Sequence, residues 1–185
     1  MRKNFGAKTW MYPMPVLIVA SYDESGRPNA MNAAWGGIYD TEQIMLCLSH
    51  EHKTYQNICA RGAFTVSMGD AAHVTACDYV GLESGNQVEN KFQKAGFTAE
   101  KSQFVDAPVI RELPMTLECK LVGETPEGIL IGQIINISAD ASILDGDGKI
   151  DPGKLRPITY DSVHHTYRVL GEVVGNAFRD GAALK

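Results

Sequence analysis

Short runs of apolar and β-branched residues, separated by turn signals, recur along the chain and predict a mainly β protein. Val16–Tyr22 is apolar, the residues from Ser25 to Pro28 are typical of a turn, and Asn29–Trp35 resumes the pattern, so we expect a hairpin. The same reasoning predicts strands over Gln43–Leu48, Ala63–Met68, Met115–Gly123 and Gly128–Ser138, with shorter strands near Ile158 and over Tyr167–Leu170.

Helical spacing is confined to three segments. Lys53–Arg61 is followed by Gly62 where a C-terminal cap belongs, and Ala71–Val80 has Asp70 as its expected N-cap and Gly81 as its stop. A third, short helix is expected around Asn90–Ala95. Many short strands with a few helices indicate a barrel or a sandwich, and no Gly-x-Gly-x-x-Gly follows a strand, which argues against a Rossmann dinucleotide site.

Composition narrows the class of protein. The 185 residues fit a single domain, here residues 1–185, and 44% hydrophobic with 21% charged residues is typical of a packed core. A net charge of −5 disfavours a nucleic-acid partner. No apolar run is long enough to span a bilayer and no signal peptide is recognisable, so we expect no membrane association and a cytoplasmic location. Four scattered cysteines without a Cys-x-x-Cys pair predict buried, reduced thiols and no metal site.

The stretch from Asn29 to Gly37 is the first candidate for chemistry. Its small residues would let a flat or phosphorylated ligand approach the backbone closely. Asn32 offers a donor and an acceptor, and Trp35 offers a planar face with an N–H donor. The alternative interpretation is an ordinary strand edge that ends in a Gly-Gly turn.

The second candidate is the stretch from Cys47 to Ile58. A strand is predicted to end at Ser49 and a helix to begin near Thr54. Helix N-termini present unpaired N–H groups and the positive end of a dipole, and Lys53 and the Thr54 hydroxyl add a charge and a donor there. This combination suits a phosphate monoester. A plain helix start beside a solvated lysine is the open alternative.

These segments, in their order and spacing, resemble the flavin-reductase-like proteins with an FMN-binding split barrel, and within them the flavoredoxin branch. The resemblance covers about residues 10 to 178. Its carriers are Pro15-Val16, Asn29–Gly37, His52-Lys53-Thr54-x-x-Asn57-Ile58, Gly62-x-Phe64-x-Val66-Ser67, Asp78-Tyr79-Val80-Gly81-x-x-Ser84-Gly85, Lys91-Phe92-x-x-x-Gly96-Phe97-Thr98, Ala107-Pro108 and Leu117-Glu118-Cys119.

The resemblance implies a Greek-key split barrel with α insertions that forms a homodimer, with one non-covalently bound FMN near each subunit interface. Carried over by position, the residues along the isoalloxazine and ribityl chain would be Asn32, Ala33, Ala34 and Trp35. The residues at the phosphate would be Ser49, His52, Lys53 and Thr54, and Leu48 completes the cofactor-binding set.

The resemblance also implies an oxidoreductase that transfers electrons or reduces flavin, with a redox partner protein or NAD(P)H as the other reactant. Many two-component flavin reductases carry an Asp-His pair where this chain has Pro126-Glu127-Gly128. The absence of this Asp-His pair favours a tightly held FMN that shuttles electrons between proteins. A non-catalytic FMN carrier and a flavin-free small-molecule-binding protein are the alternatives. His164 and His165 either approach the flavin or form a surface pair, and no residue is assigned as a catalytic acid or base.

Overall fold

The computed structural model describes residues 1–185 and is dominated by antiparallel strands. The strands are β1 (Met14–Pro15), β2 (Leu17–Tyr22), β3 (Pro28–Ala33), β4 (Gly36–Asp40), β5 (Gln43–Cys47), β6 (Ala63–Met68), β7 (Ala99–Lys101), β8 (Pro108–Ile110), β9 (Met115–Glu124), β10 (Ile129–Ala139), β11 (Ile158–Asp161) and β12 (Thr166–Val169). The helices are α1 (Lys53–Arg61), α2 (Val74–Leu82), α3 (Lys91–Lys94) and α4 (Pro152–Leu155), with 3-10 turns at Ala141–Ile143 and Asp180–Leu184. No helix is both long and apolar enough to cross a bilayer.

One seven-stranded sheet forms the body of the molecule. Its strand order is β3-β2-β6-β9-β10-β5-β4, and β3 and β4 are its two free edges. A three-stranded sheet, β1-β11-β12, and the β7-β8 hairpin lie beside it. The curled seven-stranded sheet therefore forms a half-open barrel, which confirms the mainly β fold with α insertions.

Strand β2 shows why the sequence forms this sheet. Leu17 and Val19 belong to one hydrophobic cluster, whereas Ile18 and Ala20 belong to a second cluster on the opposite face. Successive side chains of a strand point to opposite faces, so a strand that is covered on both sides is apolar throughout. This explains the uninterrupted apolar run, and it places β2 in the centre of the core beside β3.

Helix α1 spans the residues that the sequence predicts. Gly62 ends it with a left-handed backbone at φ 68°, and its N–H bonds to Ile58 O at 2.8 Å. The helix packs against β2, β3 and β6 through the fully buried Ile58. The position of α1 relative to the edge strand β3 creates the groove described below.

The boundaries of α2 differ from the prediction. Asp70 is not its N-cap, because its carboxylate accepts a hydrogen bond from the His73 N–H at 2.8 Å and closes a turn ahead of the helix. The helix consequently begins at Val74, and Gly81 lies inside it rather than after it. Strands β1, β4, β7 and β8 and helix α4 were not predicted from the sequence, since each is short and none carries a clear periodicity.

The cysteines divide into two pairs. Cys77 and Cys119 are buried, and burial raises the pKa of each thiol to about 12. Cys47 and Cys59 are exposed, so the expectation that all four are buried is wrong for these two. Cys47 is the last residue of β5, and Cys59 lies on the exposed side of α1.

The β2–β3 turn is held by one carboxylate. Asp23 is buried and accepts hydrogen bonds from the N–H groups of Ser25 and Arg27, each at 2.9 Å, from the Ser25 hydroxyl at 2.7 Å and from Arg27 Nε at 3.0 Å. Burial raises its pKa, but these hydrogen bonds outweigh burial and lower the pKa from 3.8 to about 2. The turn is therefore stabilised by the ionised carboxylate.

We expect Asp23 to contribute to acid unfolding. Because its folded pKa lies below its unfolded value, its stabilisation is fully present above about pH 4 and is lost as the pH falls towards 2. Asp23→Asn should lower the unfolding free energy at pH 7 and show a smaller further loss between pH 4 and 2 than the wild-type protein. Urea titrations at several pH values measure both quantities, and parallel pH profiles for the two proteins would contradict the role of Asp23.

Candidate functional site

A groove runs between the start of α1, the edge strand β3 and the end of α2. It consists of three cavities that share lining residues. The lysine cavity, of about 220 Å³, is lined by Met31, Asn32, His52, Lys53, Thr54, Val80, Gly81, Leu82, Glu83, Ser84, Gly85 and Lys91. The tyrosine cavity, of about 330 Å³, shares Asn32, Gly81 and Leu82 with it and is also lined by Ala34, Asp78, Tyr160, His165 and Tyr167. The arginine cavity, of about 410 Å³, shares Lys53 and Gly85 with the lysine cavity and is also lined by Asp23, Arg27, Pro28, Asn29, Asn86, Gln87 and Glu89.

The amino terminus of α1 opens into the lysine cavity. No side chain caps this helix, and its first intrahelical hydrogen bond joins Gln56 N–H to His52 O at 3.2 Å. The N–H groups of Lys53, Thr54 and Tyr55 therefore have no intrahelical acceptor. Unpaired amides together with the positive end of a helix dipole favour an anion at this position.

A buried hydrogen bond fixes the hydroxyl of Thr54. Thr54 is 1% exposed, and Asn29 Nδ2 donates to its Oγ1 at 2.6 Å. Because the amide uses Oγ1 as an acceptor, the Thr54 hydroxyl retains its own proton as a donor. Lys53, half-buried beside it, also lines the cavity.

Two glycines keep the groove open. A Cβ at Gly85 would lie 2.3 Å from Asn29 Oδ1 and 3.2 Å from Lys53 Cβ. A Cβ at Gly81 would lie 3.1 Å from Asn32 Cβ. The backbone at the end of α2 and just after it thus approaches β3 and α1 more closely than a larger residue would allow.

Lys91 is the most deeply buried cation of the groove. It is 4% exposed, and its Nζ donates to Val80 O at 3.1 Å and to Glu83 O at 2.8 Å, both near the end of α2. Burial lowers its pKa to about 8, and the charge of Glu83 offsets this only in part. Lys91 and Lys53 make the lysine cavity basic.

The tyrosine cavity is lined by hydrogen-bonded aromatic side chains. The Tyr160 hydroxyl and His165 Nδ1 are 2.8 Å apart, and the Tyr167 hydroxyl donates to Asp78 Oδ1 at 2.7 Å. Burial and the Asp78 carboxylate raise the pKa of Tyr167. Asn32 Nδ2 donates to Cys77 O at 3.0 Å and forms the boundary with the lysine cavity.

The structure brings together five of the nine side chains that the sequence predicts for the cofactor site. The five that line the groove are Asn32, Ala34, His52, Lys53 and Thr54. Ala33 and Leu48 point into the hydrophobic core instead. Ser49 is exposed and its Oγ accepts from the Glu51 N–H, and Trp35 is 58% exposed in the turn before β4.

The histidines do not converge. His50 is 2.8 Å from Glu124 Oε1, and His164 Nδ1 is 3.0 Å from Asp161 Oδ2, both outside the groove. Only His52 and His165 line it, in different cavities. No group of three or more His, Cys, Asp or Glu side chains is arranged to hold a metal ion.

Several groove residues were absent from the predicted site. Gly81, Gly85 and Lys91 occur in segments that resemble the family, but only the packing of α2 against β3 gives them a place in the groove. A lysine in a polar stretch normally indicates a solvated surface, so no pattern distinguished Lys91. The connected lysine and tyrosine cavities together fit an elongated ligand with an anionic group at α1 and a ring or chain that extends towards Tyr160.

Comparisons with known proteins agree with this geometry. The family model described as flavin reductase like domain matches residues 9–161. The flavoredoxin of Desulfovibrio vulgaris (Miyazaki F) is 38% identical, with a TM-score of 0.94 over 98% of this chain and 100% of that one. A flavoredoxin from Methanosarcina acetivorans is 26% identical, with a TM-score of 0.89 over 100% of both chains. An FMN-binding domain of a flavin reductases-like enzyme from Shewanella baltica shares the fold, with 23% identity and a TM-score of 0.77 over 88% of each chain.

Proposed function

The chain belongs to the flavin reductase like domain family, in its flavoredoxin branch, and on this premise we propose that it binds FMN non-covalently and transfers electrons through it. The observation that supports FMN over an unphosphorylated flavin is the lysine cavity. There the uncapped start of α1, Thr54 and Lys53 all line one space, which places amide, hydroxyl and ammonium donors together. These are the donors that a phosphate monoester requires.

The remaining groove suits the rest of such a ligand. Asn32 lies at the junction of the two cavities, where it can hold a ribityl chain, and Ala34 adds little bulk beside it. The tyrosine cavity provides aromatic walls for a planar ring. Bound FMN would supply the electron chemistry, whereas this chain's residues bind it, orient it and exclude water from part of its surface.

We also propose that two chains form a homodimer. Strand β4 is a free sheet edge. Ile38 and Tyr39 in this strand are 67% and 55% exposed, and Trp35 just before it is 58% exposed. An exposed edge with adjoining apolar side chains is commonly covered by a second copy. Such an interface would enclose Trp35, whose assignment to the flavin site rests on the sequence. Sedimentation equilibrium tests the dimer, and a monomer at micromolar concentration would contradict it.

The electron donor is either a redox partner protein or a nicotinamide. The β9–β10 turn, Thr125 to Gly128, contains no histidine that could take part in nicotinamide oxidation, which favours a shuttle between proteins. A cytoplasmic location stays a prediction from the sequence.

The purified protein is expected to show the visible flavin spectrum or to acquire it with added FMN. Absence of bound flavin after reconstitution would leave only a flavin-free small-molecule binder.

Steady-state oxidation of NADH and NADPH separates the enzymatic possibilities. A shuttle is expected to oxidise both slowly, yet its bound flavin should be reduced and reoxidised by protein or chemical mediators. Rapid turnover with either nicotinamide would indicate a flavin reductase. Flavin that cannot be cycled while bound would indicate a carrier and contradict electron transfer.

Lys53→Ala is expected to weaken FMN binding by about 1–3 kcal/mol, because it removes one charge-assisted contact to the phosphate. Riboflavin, which lacks the phosphate, should bind the variant and the wild-type protein equally. Titration of flavin fluorescence measures both affinities. Lys120→Ala is the matched control, since Lys120 is exposed on β9 outside the groove. An unchanged FMN dissociation constant would exclude Lys53 from the phosphate site.

A further inference from the structure

We propose that Lys91 is the second cation of the phosphate site and that FMN binding is coupled to the uptake of a proton by this lysine. The proposal rests on the proposed binding of FMN and adds a pH-dependent control to it. Lys91 belongs to α3 and Lys53 to α1, and both residues line the lysine cavity. The two lysines would therefore hold an anion between them.

The surroundings of Lys91 leave its charge without a full counterion. Its two acceptors are both backbone carbonyls, Val80 O and Glu83 O, and an ammonium group has three protons to donate. A buried cation is unfavourable unless it is paired and fully hydrogen-bonded. The lysine cavity beside it is the place where an anionic oxygen can satisfy the third N–H.

The charged groups around Lys91 are few. Glu83 on the segment after α2 is the carboxylate of the cavity, and Lys53 and His52 face it from α1. Strand β3, against which α3 packs, contains no titratable residue. On α2, Asp78 accepts from Tyr167, and on α3 itself Lys94 is exposed. A phosphate dianion would thus be the largest negative charge near Lys91.

The direction of the pH effect follows from this arrangement. Burial lowers the pKa of Lys91 to about 8 in the free protein, so near pH 8 a large fraction is neutral. A phosphate dianion favours the charged form and raises the pKa again. FMN affinity should accordingly be highest below pH 8 and fall above it, whereas riboflavin affinity should not follow this profile.

Isothermal titration of the apoprotein with FMN at pH 8, in two phosphate-free buffers of different ionisation enthalpy, measures the coupling. We expect an uptake of up to about half a proton per FMN, from a free-protein pKa of about 8, and none with riboflavin. His52→Gln should keep the uptake, since it removes the imidazole that lines the cavity without changing Lys91. FMN binding without proton uptake would overturn the proposal for Lys91 and leave FMN binding intact.

Variants provide the second readout. Lys91→Met should abolish the uptake and lower FMN affinity at pH 7 at least tenfold, with riboflavin affinity unchanged. Lys94→Met, the exposed lysine of the same helix, should retain both. Uptake that persists in Lys91→Met would overturn the assignment. If that variant does not fold, the wild-type titration decides alone, and failure of FMN to bind the wild-type protein at any pH would instead contradict the proposed function.

Discussion

Gly85→Val is expected to lower FMN affinity by about a hundredfold or more, which corresponds to about 3 kcal/mol. Even a Cβ at this position would lie 2.3 Å from Asn29 Oδ1 and 3.2 Å from Lys53 Cβ. Asn29 cannot turn away freely, because it is buried and its Nδ2 donates to Thr54. The substitution should therefore displace the Thr54 hydroxyl and Lys53 together. Fluorescence titration with FMN measures the effect.

A matched substitution separates blockage of the groove from general loop strain. Gly146 also lies in a surface loop, and a Cβ there would contact nothing within 4 Å. Gly146→Val should bind FMN as the wild-type protein does, and urea titration should show both variants folded. Wild-type FMN affinity in a folded Gly85→Val variant would show that the ligand does not use this part of the groove.

Gly132→Ala is expected to destabilise the protein by about 1–3 kcal/mol through overpacking. Gly132 is buried in β10, and a Cβ there would lie 2.3 Å from Phe64 Cζ and 3.4 Å from Ile44 Cγ2. Phe64 is fully buried in the same hydrophobic cluster as Ile44, so neither side chain has room to move. The midpoint of urea unfolding should fall accordingly.

Gly123→Ala, on the neighbouring strand β9, is the control for Gly132. A Cβ at Gly123 would contact nothing within 4 Å, so alanine should leave stability unchanged or raise it slightly by restricting the unfolded chain. Equal stability of the Gly132 and Gly123 variants would contradict close packing between β10 and Phe64.

The sequence predicts those elements whose pattern is local. Strand β2, buried on both faces, and helix α1, with a glycine at its end, are recognised because burial and capping leave direct traces in the residue order. The sequence predicts the start of α2 too early, since an aspartate that closes a preceding turn has the same appearance as an N-cap. Short strands such as β1, which pairs with β11, depend on pairing partners that are distant in sequence.

The same distinction holds for the site. Lys53 and Thr54 were predicted because a helix start after a strand is itself a local feature. Lys91 and Gly85 belong to the groove only through the approach of the α2–α3 segment to α1 and β3, which no short motif encodes. The resemblance assigns Ala33 and Leu48 to the site by position, yet alternation along β3 directs Ala33 into the core while Asn32 lines the groove.

The most direct test of an anion site at the start of α1 compares FMN with riboflavin, which differ only in the phosphate. Titration of the apoprotein at pH 7 should show FMN binding about a hundredfold tighter or more, because several charge-assisted hydrogen bonds are lost with riboflavin. Equal dissociation constants for the two flavins would contradict a phosphate held by the α1 amides, Thr54 and Lys53.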